Sequence, residues 1–123
     1  MEGLNMHLKS MICAAILMAS AGGAHAADLT FVMDNEYIED VGLEFYSMDR
    51  NHVWPGGDDV WVLGPSDGAV PYKLQCQPNE LVCFGAWTIS QKDQWGAGID
   101  NSMQCETCCF YCDGTVTDII ELN

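Results

Sequence analysis

Four of the eight residues in "CETCCFYC" (105–112) are cysteine, and this cluster limits the available folds more than any other stretch of the chain. A C-x2-C-C-x2-C spacing can hold zinc or an iron–sulfur cluster, run thiol redox chemistry, or staple a small domain with disulfides. The compartment decides between these chemistries, and the address lies at the N-terminus.

Residues 1–26 read as a secretory signal peptide. His7 and Lys9 precede an apolar run from Met11 to Met18, small residues follow, and Ala24-His25-Ala26 has the A-x-A form of a cleavage site. "MHLKS" makes Met6 an alternative start. Cys13 stands at the beginning of the apolar run rather than directly after the cleavage point, so lipid attachment is not expected. The run is too short to span a bilayer and has no successor, so membrane insertion is not expected either. The expected organisation is a signal peptide (1–26) followed by a single β domain (27–123), secreted or periplasmic.

Removing Cys13 with the signal turns seven cysteines into six: Cys76, Cys83, Cys105, Cys108, Cys109 and Cys112. An even count in a short exported chain predicts three disulfides. Six cysteines allow fifteen pairings. Cys76 and Cys83 flank the turn-like "QPNELV", which suggests a local bond between them, and the four clustered cysteines then pair among themselves or cross to that hairpin. Cys108 and Cys109 are adjacent, so a bond between them would be strained and each is expected to reach a different partner. A redox-active C-x-x-C normally opens a helix in a βαβ unit, and the chain shows no such unit.

The strand pattern completes the fold prediction. "LTFVMD" (29–34) and the alternating "VGLEFYS" (41–47) read as a hairpin, the second strand half-buried with Val41, Leu43, Phe45 and Ser47 on one face. Further strands are expected at 60–63, 70–76, 81–89 and 115–122, the fourth beginning at or lying on an edge because of Pro71, the fifth central. In the last, Val116, Ile120 and Leu122 form the apolar side around Asp118. The stretch 90–104 has no clear period and reads as a loop with a Gly96-Ala97-Gly98 bend. The predicted class is all-β: a small antiparallel β-sandwich or open barrel of about six strands, stapled by disulfides.

"LEFYSMDRNHVWPGG", "LQCQPNELVCFGAW" and the C-x2-C-C-x2-C cluster together resemble a group of small exported bacterial proteins of unknown function. The likeness covers most of residues 27–123. It implies export and a cysteine-stapled domain, and it implies no activity and no catalytic residues.

Charge narrows the partners. The chain has 18 acidic and 4 basic residues, and its net charge of −14 repels nucleic acid and anionic membranes. The loop "DRNHVWPGGDD" (49–59) is the best candidate for a ligand site, with Arg50, His52, Trp54, Asp58 and Asp59, joined by Trp95 from the 90–104 loop. Arg50 is expected to pair with a carboxylate such as Asp49 or Glu44, or to grip a ligand's carboxylate or hydroxyls. Trp54 and Trp95 are either stacking platforms or lids over a small core; Trp61 and Trp87 fall in strand patterns and read as core. Asp49, Asn51, Asp58, Asp59 and Asp67 offer oxygens for calcium but lack the spacing of a calcium loop. With one histidine after residue 26 and no nucleophile or metalloprotease motif, enzymatic activity is not expected, and no motif requires a cofactor. The leading expectation is an acidic, disulfide-stabilised binding protein with a protein or carbohydrate partner. The alternatives are a metal-binding protein using the cysteine cluster or the acidic loop, and a small thiol–disulfide redox protein.

Overall fold

The computed structural model describes residues 27–123. The expected signal peptide lies outside the described residues. Nine strands follow in order: β1 (Ala27–Asn35), β2 (Val41–Ser47), β3 (Val53–Trp54), β4 (Trp61–Leu63), β5 (Ala69–Cys76), β6 (Leu81–Thr88), β7 (Gln94–Gly96), β8 (Cys109–Tyr111) and β9 (Val116–Leu122). A single 3-10 turn, Ile99–Asn101, interrupts them among the described residues. The class is all-β, in two sheets that do not close into a barrel.

The smaller sheet has the order β5-β1-β9. β1 runs antiparallel to β5 and parallel to β9. The β1–β9 register shifts between Thr30 and Val32, where the Val32 N–H donates to Thr117 Oγ1 at 3.0 Å instead of to a backbone carbonyl. That irregularity corrects the face expected for the last strand: Leu122 and Thr117 point inward, whereas Val116 is 64% exposed. In the larger sheet β2 and β6 are the central antiparallel pair, from Val41↔Thr88 to Ser47↔Val82. β3 and β4 share the outer edge of β2, and β7 and β8 share the outer edge of β6.

β1 and β2 do not form the expected hairpin, because both edges of β1 are taken by strands from later in the chain. The connection between them crosses from one sheet to the other. Asn35 organises that crossing: its buried amide donates to the carbonyls of Glu39 (2.8 Å) and Leu63 (2.9 Å), and its Oδ1 accepts from the Tyr37 N–H (2.8 Å). A buried amide is tolerated because its polar atoms are paired.

Alternate residues of the two sheets meet in one core. Leu29, Phe31 and Met33 of β1 face Val41, Leu43 and Phe45 of β2 and Phe84 and Ala86 of β6. The Phe31 ring lies 4.7 Å from Phe45 and packs edge-on to Phe84 and Phe110, in the tilted and T-shaped arrangements that aromatic quadrupoles favour.

β2 is buried on both faces rather than one. Trp87 covers Gly42 on the outer face, where a Cβ would lie 2.8 Å from the indole. Tyr46 covers Gly85 on the same side. Trp87 is therefore buried outside the central cluster, while Trp61 packs partly against it.

Among the described residues three disulfides form: Cys76–Cys112, Cys83–Cys109 and Cys105–Cys108. The local Cys76–Cys83 bond suggested by the turn between them does not form. Cys76 ends β5 and Cys83 lies two residues inside β6, in different sheets, and each bonds to a cysteine of the cluster instead. Cys76–Cys112 ties the smaller sheet to the segment after β8, and Cys83–Cys109 links directly opposed residues of β6 and β8. Cys108 and Cys109 do reach different partners.

Candidate functional site

Residues 48–52 leave β2 in a turn written by Ser47. Its Oγ accepts from the N–H groups of Asp49 and Arg50, both at 3.1 Å, and its own N–H donates to the His52 carbonyl at 3.0 Å. Side-chain hydroxyls compete well with backbone acceptors in such turns. The Asp49 carboxylate accepts from the Leu81 N–H (2.9 Å), which pins the turn to the start of β6.

Arg50 forms a two-pronged pair with Glu80: Nε donates to Oε2 at 2.5 Å and the second guanidinium nitrogen to Oε1 at 3.0 Å. The partner is thus a carboxylate, as expected, but neither Asp49 nor Glu44. Burial alone would raise the Glu80 carboxyl. Hydrogen bonds from Arg50, the Gln77 N–H and Ser47 outweigh it and hold the group at about 2. The Arg50 guanidinium also lies 5.7 Å from the centre of the Trp54 ring, with the His52 ring packed edge-on at 4.5 Å.

Trp54 is buried, and its Nε1–H donates to the Gln75 carbonyl at 3.0 Å. It is a lid that reaches from β3 to β5 across the two sheets, not an exposed platform. Asp58 and Asp59 sit at the exposed tip of the loop, where Gly56 and Asp59 form an isolated bridge. Trp95 stands apart from the 49–59 loop: its Nε1–H donates to the Asn123 carbonyl (3.1 Å) and its ring meets Tyr37 at 5.5 Å. Asp67 accepts from the Gly64 N–H in a different turn, so the acids considered for calcium do not converge.

The stretch 94–104 contains the short strand β7 and then crosses the outer face of the larger sheet. Gly96 must be glycine, because a Cβ there would meet the Phe84 carbonyl at 2.4 Å and its φ is +64°. The Ala97 N–H donates to that carbonyl (2.9 Å), the Tyr46 hydroxyl donates to the Gly98 carbonyl (2.8 Å), and the Met103 N–H donates to the Ala97 carbonyl (2.9 Å). Asp100 and Asn101 take φ of 54° and 56°, a left-handed conformation that their short polar side chains tolerate better than most.

Two adjoining concavities result, and Asn101 lines both. The larger, about 470 Å³, lies between Met48, Ala97, Met103 and Cys105, with Cys83 in its wall. The smaller, about 350 Å³, is enclosed by Glu44, Tyr46, Arg50, His52, Gly57 and Asp100. Of the residues expected to bind, Arg50 and His52 line the groove; Trp54 underlies the loop, and Asp58, Asp59 and Trp95 line neither concavity. Burial raises the Glu44 carboxyl; the hydrogen bond from Tyr46 acts against this and the nearby Asp100 adds to it. The Tyr46 phenol is also raised, first by burial and then by Glu44.

The contributions of Glu44, Tyr46, Met48, Asn101 and Met103 were not apparent from the sequence. The one local signal was the Gly96-Ala97-Gly98 bend followed by Asp100-Asn101, both markers of unusual backbone. Among the described residues, one group of potential metal ligands is gathered: the Sγ atoms of Cys83, Cys108 and Cys109, within 4.8 Å of one another. Bonded as disulfides, these sulfurs are electrophiles rather than the thiolates that a zinc site uses. No helix of the described residues is long and apolar enough to cross a membrane. Comparison with protein-family models, with curated proteins and with solved structures finds no match.

Proposed function

We propose that this chain is an exported, disulfide-stabilised binding protein whose ligand site is the groove between the 48–57 loop and residues 97–106. The observation that carries the reading is the meeting of the two concavities at Asn101, with their walls held by backbone hydrogen bonds and by the bonds of Ser47, Asp49, Arg50 and Tyr46. A site fixed in this way loses little conformational entropy on binding. Met48 and Met103 are exposed at its rim (50% and 40%), and such flexible, polarizable side chains suit a protein ligand. Glu44, Asp100 and Glu106 give the groove negative charge, which favours a segment bearing lysine or arginine. A protein segment is the preferred partner, and a carbohydrate the second. Export is supported by three disulfides in a short chain, which suit an oxidising compartment.

The test is a titration with short lysine- and arginine-bearing peptides and, separately, with neutral oligosaccharides, followed by NMR of 13C-methyl methionine. The Met48 and Met103 methyls should shift with saturation, while the buried Met33 stays fixed. If saturable binding shifts neither rim methionine, the groove is not the site.

A further inference from the structure

The three disulfides differ in what surrounds them. Cys76–Cys112 is sealed: Cys112 is fully buried, its N–H donates to the Glu80 carbonyl (2.8 Å) and its carbonyl accepts from Asn79 (2.7 Å). Cys105–Cys108 lies in a stretch without regular structure, and half-buried Cys105 opens into the larger concavity. Cys108 is buried beneath it, with its Sγ 3.8 Å from Cys109 Sγ, and Cys83 Sγ lies within 4.8 Å of both. A sulfur of one disulfide therefore sits against both sulfurs of another, and the first of these disulfides is reachable from the groove.

We propose that the groove is also a thiol–disulfide exchange site, in which Cys105 receives an external dithiol and Cys108 passes the exchange inward to Cys83–Cys109. It goes beyond the binding reading and does not depend on it. A thiolate of the dithiol attacks Cys105 Sγ, the Cys105–Cys108 bond breaks, and its electron pair leaves on Cys108 as a thiolate. The dithiol's second thiol then loses its proton and attacks its own sulfur in the mixed disulfide. Cys105 is released as a thiolate that takes up a proton, and the dithiol departs as a cyclic disulfide. The protein has gained two electrons and the dithiol has lost them. The Cys108 thiolate next attacks Cys83 Sγ. The Cys83–Cys109 bond breaks, Cys109 leaves as a thiolate and is protonated, and a Cys83–Cys108 bond forms. Cys83 is the productive target although Cys109 Sγ also lies close, because a bond between the adjacent Cys108 and Cys109 would be strained. This second step is an isomerisation that moves the anchor of β6 by one residue. Cys108 directly precedes β8, and its carbonyl accepts from the Phe84 N–H at 3.1 Å, which holds it beside β6 and the Cys83 sulfur.

The test is Cys105→Ser, which leaves one thiol in the trio. The variant is labelled with N-ethylmaleimide, digested without reduction, and fragmented between residues 108 and 109. Label should divide between Cys108 and Cys109. Label confined to Cys108 overturns the relay. Should the variant not fold, one equivalent of dithiothreitol is added to the unmodified protein before labelling. Label on Cys105 together with both Cys108 and Cys109, with Cys76–Cys112 intact, is the expected result. Label on Cys105 and Cys108 alone, or first opening of Cys76–Cys112, overturns it. Because the readout is the position of a thiol, failure of peptide binding leaves this result unaffected.

Discussion

Glu80 is almost completely buried and yet remains ionised, because Arg50, Ser47 and the Gln77 N–H supply more stabilisation than burial removes. A carboxyl held at about 2 contributes stability above its unfolded value of about 4.3, and that contribution is lost as pH falls from there toward 2. It is worth about 3 kcal/mol at neutral pH by the size of the shift. Glu80→Gln should therefore lower stability at pH 7 and flatten the acid limb of a urea-denaturation series; parallel curves for variant and parent would show that the pair does not govern it. Glu44 has the opposite sign. Its raised carboxyl is costly at neutral pH and favours folding as it protonates, so Glu44→Gln should be neutral or stabilising at pH 7 by the same assay. Trp54→Ala removes a buried indole that joins β3 to β5, and should cost about 3–5 kcal/mol. A small loss with binding abolished would instead restore the exposed-platform role that the Trp54-Pro55-Gly56 context suggests.

Among the elements, the segment over the larger sheet depends on how closely it can approach β6. A Cβ on Gly85 would lie 2.3 Å from the Gly98 carbonyl and 2.6 Å from the Tyr46 ring, whereas one on Gly57 meets nothing within 4 Å and faces only the strain of φ +63°. Gly85→Ala should thus lose about 1–3 kcal/mol and displace the Met103 methyl resonance, and Gly57→Ala should do neither to the same degree. The longer strands were legible because alternation is a local property: Leu29, Phe31 and Met33, or the apolar run of β6, announce themselves within a few residues. β7 and β8 were not: unlike the equally short β4, which its β-branched "VWVL" announces, "QWG" and "CFY" carry no local alternation and take their place from pairing with β6. The same non-locality hid the groove. Arg50 and His52 stand out in the sequence as the sole arginine and the sole histidine of the described residues, but nothing near Tyr46 says that Asn101 will lie across from it. The hairpin expected of β1 and β2 failed for a related reason, as sequence neighbours pair only when their edges are not claimed by others.

For the molecule as a whole, the disulfides rank by the chain they enclose. Cys76–Cys112 spans 36 residues in sequence and Cys105–Cys108 only 3. Loop-closure entropy assigns about 4 kcal/mol to the first and about 2 kcal/mol to the second. Paired cysteine-to-alanine variants should unfold in that order in guanidinium, and equal midpoints would refute the ranking. The net charge of −14 works against compactness, so added salt should raise the melting temperature by screening like charges. The position of β1 has another result. This first strand is the middle of its sheet, and its two neighbours are β5 and β9, the latter ending at Leu122. A chain emerging from a ribosome or through a translocation pore presents β1 first and cannot complete its pairing until the final strand is out. The order of synthesis thus keeps the smaller sheet incomplete until β9 has been made, a delay built into the topology itself.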